Sequence, residues 1–266
     1  MSTSFASRYG PWTLVTGASK GLGAEFCRQL AASGLNIVMV ASHEDALLDE
    51  SAAIERQYGV KTRPITLDLA DDGSITRLGR LTADLDITLL VSNAAMSDVG
   101  PFLKATPEYL ENQVRVNALA CTLLARHYGA LMAKQRRGGI ILMSSGTAQH
   151  GTPYSANYAA TKAFNLILAE SLWYEFRPHK VDVLGVMAGA TRTEGWLANH
   201  PKPNWRVPIM GVKPVVAAAL RALGRRPRVS PGIMNHLGYA ALSWKTRGRA
   251  VKSVGASMEK MFGPYA

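Results

Sequence analysis

The chain has 266 residues, 47% hydrophobic and 18% charged, a balance that excludes disorder and gives enough length for one large α/β domain. No apolar run reaches the ~18 residues of a membrane span, and two cysteines with six scattered histidines show no metal or redox spacing. The net charge of +11 is uneven: residues 201–266 carry 12 Lys and Arg against one acid, Glu259, while residues 1–200 carry 18 of each sign.

The N-terminal MSTSFASRYGPW has no basic stretch followed by an apolar run, so no signal peptide is expected and a cytoplasmic place is implied. TLVTG (13–17) reads as the first strand, and TGASKGLG (16–23) as the turn that opens the first helix. Gly17, Gly21 and Gly23 allow the backbone to turn tightly and approach a pyrophosphate, which the helix N-terminus would hold through its N–H groups. Ser19 and Leu22 belong to the same loop. NIVMVA (36–41) is the second strand, and where an NAD site carries an acid the chain has Ala41, Ser42 and His43. With no carboxylate there, and with Lys20 and Ser42 able to meet a 2′-phosphate, the residues favour NADP(H). Glu44 and Asp45 fit the first turn of the next helix, and His43 fits an exposed position at its start.

RPITLD (63–68), ITLLVSN (87–93), GIILMSS (139–145) and VDVLGVM (181–187) are further buried strands. Long helices are expected at 106–135 and 156–177, with Cys121, like Cys27 in the first helix, as a buried thiol of a reduced compartment. Strands alternating with helices predict a doubly wound parallel sheet, a Rossmann fold, with ligands at the carboxyl ends of its strands. Residues 1–190 form its dinucleotide-binding core. TRTEGWLANHPKPNWRVP (191–208) has three prolines, two tryptophans and no steady period, so residues 191–211 read as a substrate lid. A helix at 212–223, a short strand at 228–230 and a basic helical tail complete the single domain of 1–266.

Ser145 ends the fifth strand, Tyr158 follows thirteen residues later, and Lys162 lies one helical turn beyond Tyr158 on the same face. A nearby ammonium favours the phenolate over a phenol of pKa about 10. Tyr158 can then exchange a proton with a carbonyl oxygen as hydride moves at its carbon, with Ser145 holding that oxygen. Lys162 would also bond a ribose and connect Tyr158 to solvent through Asn117 and a water.

In this order and spacing the motifs resemble the short-chain dehydrogenase/reductase family, over residues 12 to 195. The resemblance implies catalytic Asn117, Ser145, Tyr158 and Lys162, Asp68 and Leu69 beside the adenine, and Asn93, Ala94 and Ala95 along the coenzyme. It further implies Gly189, Thr191 and Thr193 at the carboxamide and phosphates. Three departures stand out: Ser92-Asn93-Ala94-Ala95 replaces Asn-Asn-Ala-Gly, Ala188-Gly189 replaces Pro-Gly, and Ser42 replaces an arginine common in NADP-preferring members.

The opening run is similar to NADP-dependent bacterial hydroxysteroid dehydrogenases and to a branch reducing 3-oxoacyl chains. That implies a bulky, apolar, often anionic ketone or alcohol and, from the family, a homo-oligomer through the helices at 106–135 and 156–177. Gln149, His150, Tyr154, Trp196 and Trp205 are the candidate pocket residues, with Leu197 and Met210 as further roof. A different class of protein, a coenzyme-binding sensor without turnover, keeps the same fold. The basic tail admits a solvated face, a funnel for an anionic substrate, or weak membrane-surface contact through a stripe of Val251, Val254, Met258 and Met261, a stripe that could equally cover the core or a subunit partner. Nucleic acid lacks a recognition module here.

Overall fold

Residues 14, 38, 40, 90, 140, 142 and 183 are apolar, and so are their neighbours 15, 37, 39, 89, 91, 141 and 184. Both faces of these strands must therefore be covered, which is the condition for a central parallel sheet. The computed structural model, which describes residues 3–202 and 207–263, shows that sheet. Its strands are β1 (Trp12–Thr16), β2 (Asn36–Ala41), β3 (Thr62–Thr66), β4 (Ile87–Ser92), β5 (Gly138–Ser145), β6 (Val181–Ala188) and β7 (Arg228–Val229). All pair in parallel, in the order β3-β2-β1-β4-β5-β6-β7.

One face packs Val15, Met39, Val91 and Leu184 against α2 (Gly21–Ala31), α3 (Glu44–Tyr58) and α9 (Val212–Ala222), with Phe26 and Leu30 wholly buried. The other packs Leu14, Val40, Leu90 and Ile140 against α4 (Ser74–Leu81), α6 (Ala120–Gln135) and α7 (Ala156–Glu175), with Tyr128 at its centre. Because β1 lies between β2 and β4, the crossover direction reverses there and opens a crevice at the carboxyl ends of β1 and β4. Glu44 and Asp45 stand in the first turn of α3 with His43 exposed before it, and Cys27 and Cys121 are buried free thiols.

Two elements differ from the sequence pattern. The helix expected at 106–135 is split into α5 (Pro107–Val114), a wide turn at Arg115–Leu119 with π-type hydrogen bonding, and α6. An apolar period shows no sign of one inserted hydrogen-bond step. A short helix, α1 (Thr3–Tyr9), precedes β1; seven residues hold too few turns for a periodic signal. Its anchor is Tyr9, which is buried, donates its hydroxyl to Asp182 Oδ2 at 2.6 Å, and accepts a hydrogen bond at its carbonyl from Thr88 Oγ1 at 2.8 Å. Burial, with the Asp182 carboxylate second, pushes the Tyr9 phenol far up, and Arg8 pairs the same carboxylate at 2.6 Å. The tail forms α10 (Ile233–Ser243) and α11 (Arg247–Phe262), after the short α8 (Glu194–Leu197).

Tyr9 should therefore carry most of the attachment of α1. Tyr9→Phe should destabilise by about 1.5–3 kcal/mol, the worth of a bond to a charged acceptor, and Tyr9→Ala by about 3–5 kcal/mol for a large buried ring. Urea unfolding of the two variants against the parent measures both.

Candidate active site

The crevice widens into a cavity of about 1080 Å³. At its floor, Gly17 and Gly21 adopt φ of +64° and +61°, the left-handed region that glycine tolerates. A Cβ on Gly23 would collide with the Gly17 carbonyl oxygen, so this glycine is what lets α2 start directly beneath the turn. Across the crevice, Thr16 Oγ1 accepts the N–H groups of Asn93 and Ala94, both at 3.0 Å, and Asn93 Nδ2 donates to the Thr16 carbonyl at 2.9 Å. The ends of β1 and β4 are thereby locked together, with the N-terminus of α2 facing the space between.

The opposite end of the cavity is built by β5 and α7. Lys162 is 3% exposed and donates from Nζ to the Met143 carbonyl at 3.1 Å. Its own carbonyl accepts Ser144 Oγ at 2.7 Å. Burial pushes the Lys162 ammonium down to about 8. Its nitrogen lies 5.6 Å from the centre of the Tyr158 ring. Burial raises the Tyr158 phenol, and a hydrogen bond from Ser145 offsets part of that rise. Ser145 Oγ also accepts the Thr147 N–H at 3.2 Å, which leaves its proton for Tyr158 or for an oxygen entering the cavity. With a lining that runs from Ser42 and Lys20 to Tyr158 and Lys162, the cavity has the donors and the glycine cradle that a nicotinamide dinucleotide requires.

A protein-family model for the short chain dehydrogenase matches residues 11–203. The chain belongs to the short-chain dehydrogenase family. It is 30% identical over 232 residues to a 7β-hydroxysteroid dehydrogenase of Clostridium sardiniense, covering 87% of this chain and 89% of that one. A solved structure concerned with 7β-hydroxysteroid dehydrogenase stereoselectivity superposes with a TM-score of 0.88 at 28% identity, over 94% of this chain and 98% of that one. A short-chain dehydrogenase from Sphingobium yanoikuyae in complex with NADPH gives 0.77 at 29% identity, over 88% and 92%. The chain is thus a nicotinamide-dependent oxidoreductase acting on an alcohol or ketone.

Most dehydrogenase residues named from the sequence meet in this one cavity: Gly17, Ser19, Lys20, Gly21, Leu22, Ser42, Asp68, Leu69, Asn93, Ala94, Ala95, Ser145, Tyr158, Lys162, Gly189, Thr191 and Thr193 all line it, and Gly23 lies just beneath. Ala95, where the family pattern has glycine, is exposed on the cavity wall. Gly189 is crowded by Asn235 of α10, and Thr193 caps α8 by accepting the Trp196 N–H at 3.2 Å. Lys20 is exposed, 3.9 Å from the Glu194 carboxylate. Asn117 stands behind the wall in the π-type turn. Its amide exchanges bonds with Met96, at 2.8 and 2.9 Å, and donates to Thr161 Oγ1 at 3.1 Å, while its carbonyl accepts Asn165 Nδ2 at 2.8 Å.

The pocket residues divide. His150 and Trp196 line the cavity. His150 Nδ1 is buried without a hydrogen-bond partner, and burial with the Arg247 charge lowers its pKa. Gln149 is not on the wall: it donates to the Tyr239 carbonyl at 3.2 Å and to Ser243 Oγ at 2.6 Å, and so holds α10. Tyr154, at φ +63°, turns away to bond Glu259 at 2.9 Å and borders a separate cleft of about 120 Å³. Leu197 and Met210 also lie off the wall, and Trp205 lies outside the described residues.

Sequence reasoning missed the roof. α10 and α11 supply Met234, Gly238, Tyr239 and Leu242 together with Val254 and Met258. The stripe proposed for a membrane surface faces this way: Val254, Met258 and Met261 line the cavity and Val251 approaches Gly151. Tyr239 is pushed up to about 12 by burial and by Tyr158 nearby. Its position was invisible because nothing local says that a tail helix folds back over a site ninety residues earlier.

Lys162 makes a pH-dependent cost. Its folded value of about 8 lies below the ~10.4 of an unfolded lysine. Burial therefore penalises the fold fully below pH 8, and stability returns as pH rises toward the unfolded value. Against Lys162→Met, the parent should gain on the order of 3 kcal/mol between pH 7 and 10.5, read by urea unfolding across that range.

Proposed function

We propose that the protein interconverts a bulky, apolar ketone and its secondary alcohol with NADP(H), on a hydroxysteroid-like and anionic substrate. The observation that carries this is the meeting, in one cavity, of the glycine cradle with Tyr158, Ser145 and the buried Lys162. NADP(H), when bound, supplies or takes up the hydride. Ser145 donates to the substrate oxygen and fixes its position. Tyr158 gives that oxygen a proton in reduction and takes it back in oxidation. Lys162, charged below its lowered pKa, holds the phenolate that remains against the cost of burial. Asn117 positions the wall behind Tyr158 through Met96 and Thr161.

The coenzyme preference rests on Lys20 and Ser42, with no carboxylate where a 2′-phosphate would sit, and on the NADPH complex of the Sphingobium relative. The substrate class rests on the Clostridium relative and on apolar walls from Val99, Trp196, Leu242 and Met258 beside the cations Lys245 and Lys260. Residues 191–211 act as the lid, with Trp196 over the cavity. Exposed Leu123, Leu131, Phe164 and Ile167 on α6 and α7 support a homo-oligomer.

Coenzyme oxidation measured with NADPH and NADH, over oxosteroids, oxo-bile acids, 3-oxoacyl thioesters and simple ketones, tests the reading. NADPH with a steroid-sized ketone should turn over fastest. Tyr158→Phe should lower kcat by about 10²–10⁴ while NADPH binding persists. Retained turnover in that variant would refute the assigned role, and binding without turnover in the parent on every ketone would favour a sensor. Lys20→Ala should raise the KM for NADPH roughly fivefold, the worth of an exposed charge contact, with NADH unchanged.

A further inference from the structure

Helix α10 has its polarity reversed for a surface helix. Asn235, Tyr239 and Leu242 turn toward the protein, with Asn235 buried. Ile233, Leu237, Ala240 and Trp244 recur at i, i+4, i+7 and i+11, on the side away from it. Ile233 is 70% exposed, Leu237 54% and Trp244 91%. The next turns of chain carry Lys245, Arg247 and Arg249, all exposed, and the only acid in residues 201–266 is Glu259, held by the Tyr154 hydroxyl.

We propose that α10 docks on an anionic lipid bilayer surface, lying flat in the headgroup layer with Ile233, Leu237 and Trp244 inserted and Arg247 and Arg249 on the phosphates. An apolar stripe ended by a tryptophan and followed by cations is the pattern of an interfacial helix. No helix among the described residues is long and apolar enough to cross a membrane, so the contact is peripheral. A second copy fits worse. Symmetric pairing would bring the two basic clusters together. A helix of this length offers a face about 16 Å long and ~10 Å wide, on the order of 160 Å², well short of the roughly 800 Å² per partner of a stable interface.

The inner side of the same helix supplies Gly238 and Leu242 to the cavity wall. One helix therefore separates the lipid from the site. On the ketone/alcohol reading above, an apolar substrate dissolved in the bilayer reaches the cavity without crossing bulk water.

Co-sedimentation of the full chain with vesicles, without coenzyme or substrate, tests the docking apart from the chemistry. Binding should be about tenfold or more tighter to phosphatidylcholine–phosphatidylglycerol vesicles than to phosphatidylcholine alone, and high salt should weaken it. Leu237→Ser with Trp244→Ser should abolish it, and Arg249→Glu should remove the preference for anionic lipid. Turnover of a water-soluble ketone and NADPH binding by these variants should match the parent, which shows that the fold is intact. Absent binding, or equal binding to both vesicles, overturns the proposal. So does a change of Leu237→Ser with Trp244→Ser from dimer to monomer in light scattering with vesicle binding unaltered, which assigns the face to a second copy. Failure of the parent to reduce any ketone bears on the proposed reaction alone.

Discussion

The burial of one ammonium sets the geometry of the site. Lys162 sits between α7 and β5, donating to the Met143 carbonyl while Ser144 donates to its own carbonyl. These bonds fix the height of α7 along β5, and therefore the distance from Tyr158 to Ser145. Asn165, on the next turn of α7, ties the same helix to the Asn117 carbonyl. The π-type turn, the helix and the strand are thus joined by a buried polar network, in which only Asn165 Oδ1 lacks a partner among the described residues. The amine remains costly where it is, and a fold selected only for stability would put an apolar side chain there.

A second lock stands at the switch point of the sheet. Thr16 and Asn93 close β1 onto β4, and the glycine turn leaves the α2 N-terminus bare toward the crevice. Neither lock is catalytic by itself. Together they place the glycine turn and the Tyr158 side chain at the two ends of one cavity, and the C-terminal helices line it. Of the cations in residues 201–266, Lys245 and Lys260 line the cavity that α10 and α11 roof.

What the sequence revealed depended on how local the cause was. The central strands were legible because each is a short run that must be apolar on both faces. The glycine loop and the Tyr158/Lys162 pair stood out in the sequence because they set particular residues a fixed number of positions apart, and the structure brings them to one cavity. Asn117 was named from its motif, but the extra hydrogen-bond step that turns its amide toward Met96 was not legible. Gln149 and Tyr154 were placed in the pocket because they lie between Ser145 and Tyr158. Their side chains instead hold α10 and α11, which only the folded chain brings near. The stripe of Val254, Met258 and Met261 was correctly read as one helix face, but periodicity carries no information about what that face meets.

The central claim is that proton and hydride meet a ketone in this one cavity. Its most direct measurement uses NADPH deuterated at the nicotinamide C4 with the best ketone of a panel, followed by mass spectrometry of the alcohol. Deuterium on the carbinol carbon, in proportion to coenzyme oxidised, is the predicted result. Coenzyme bound at stoichiometry, with no label in any alcohol, would contradict it.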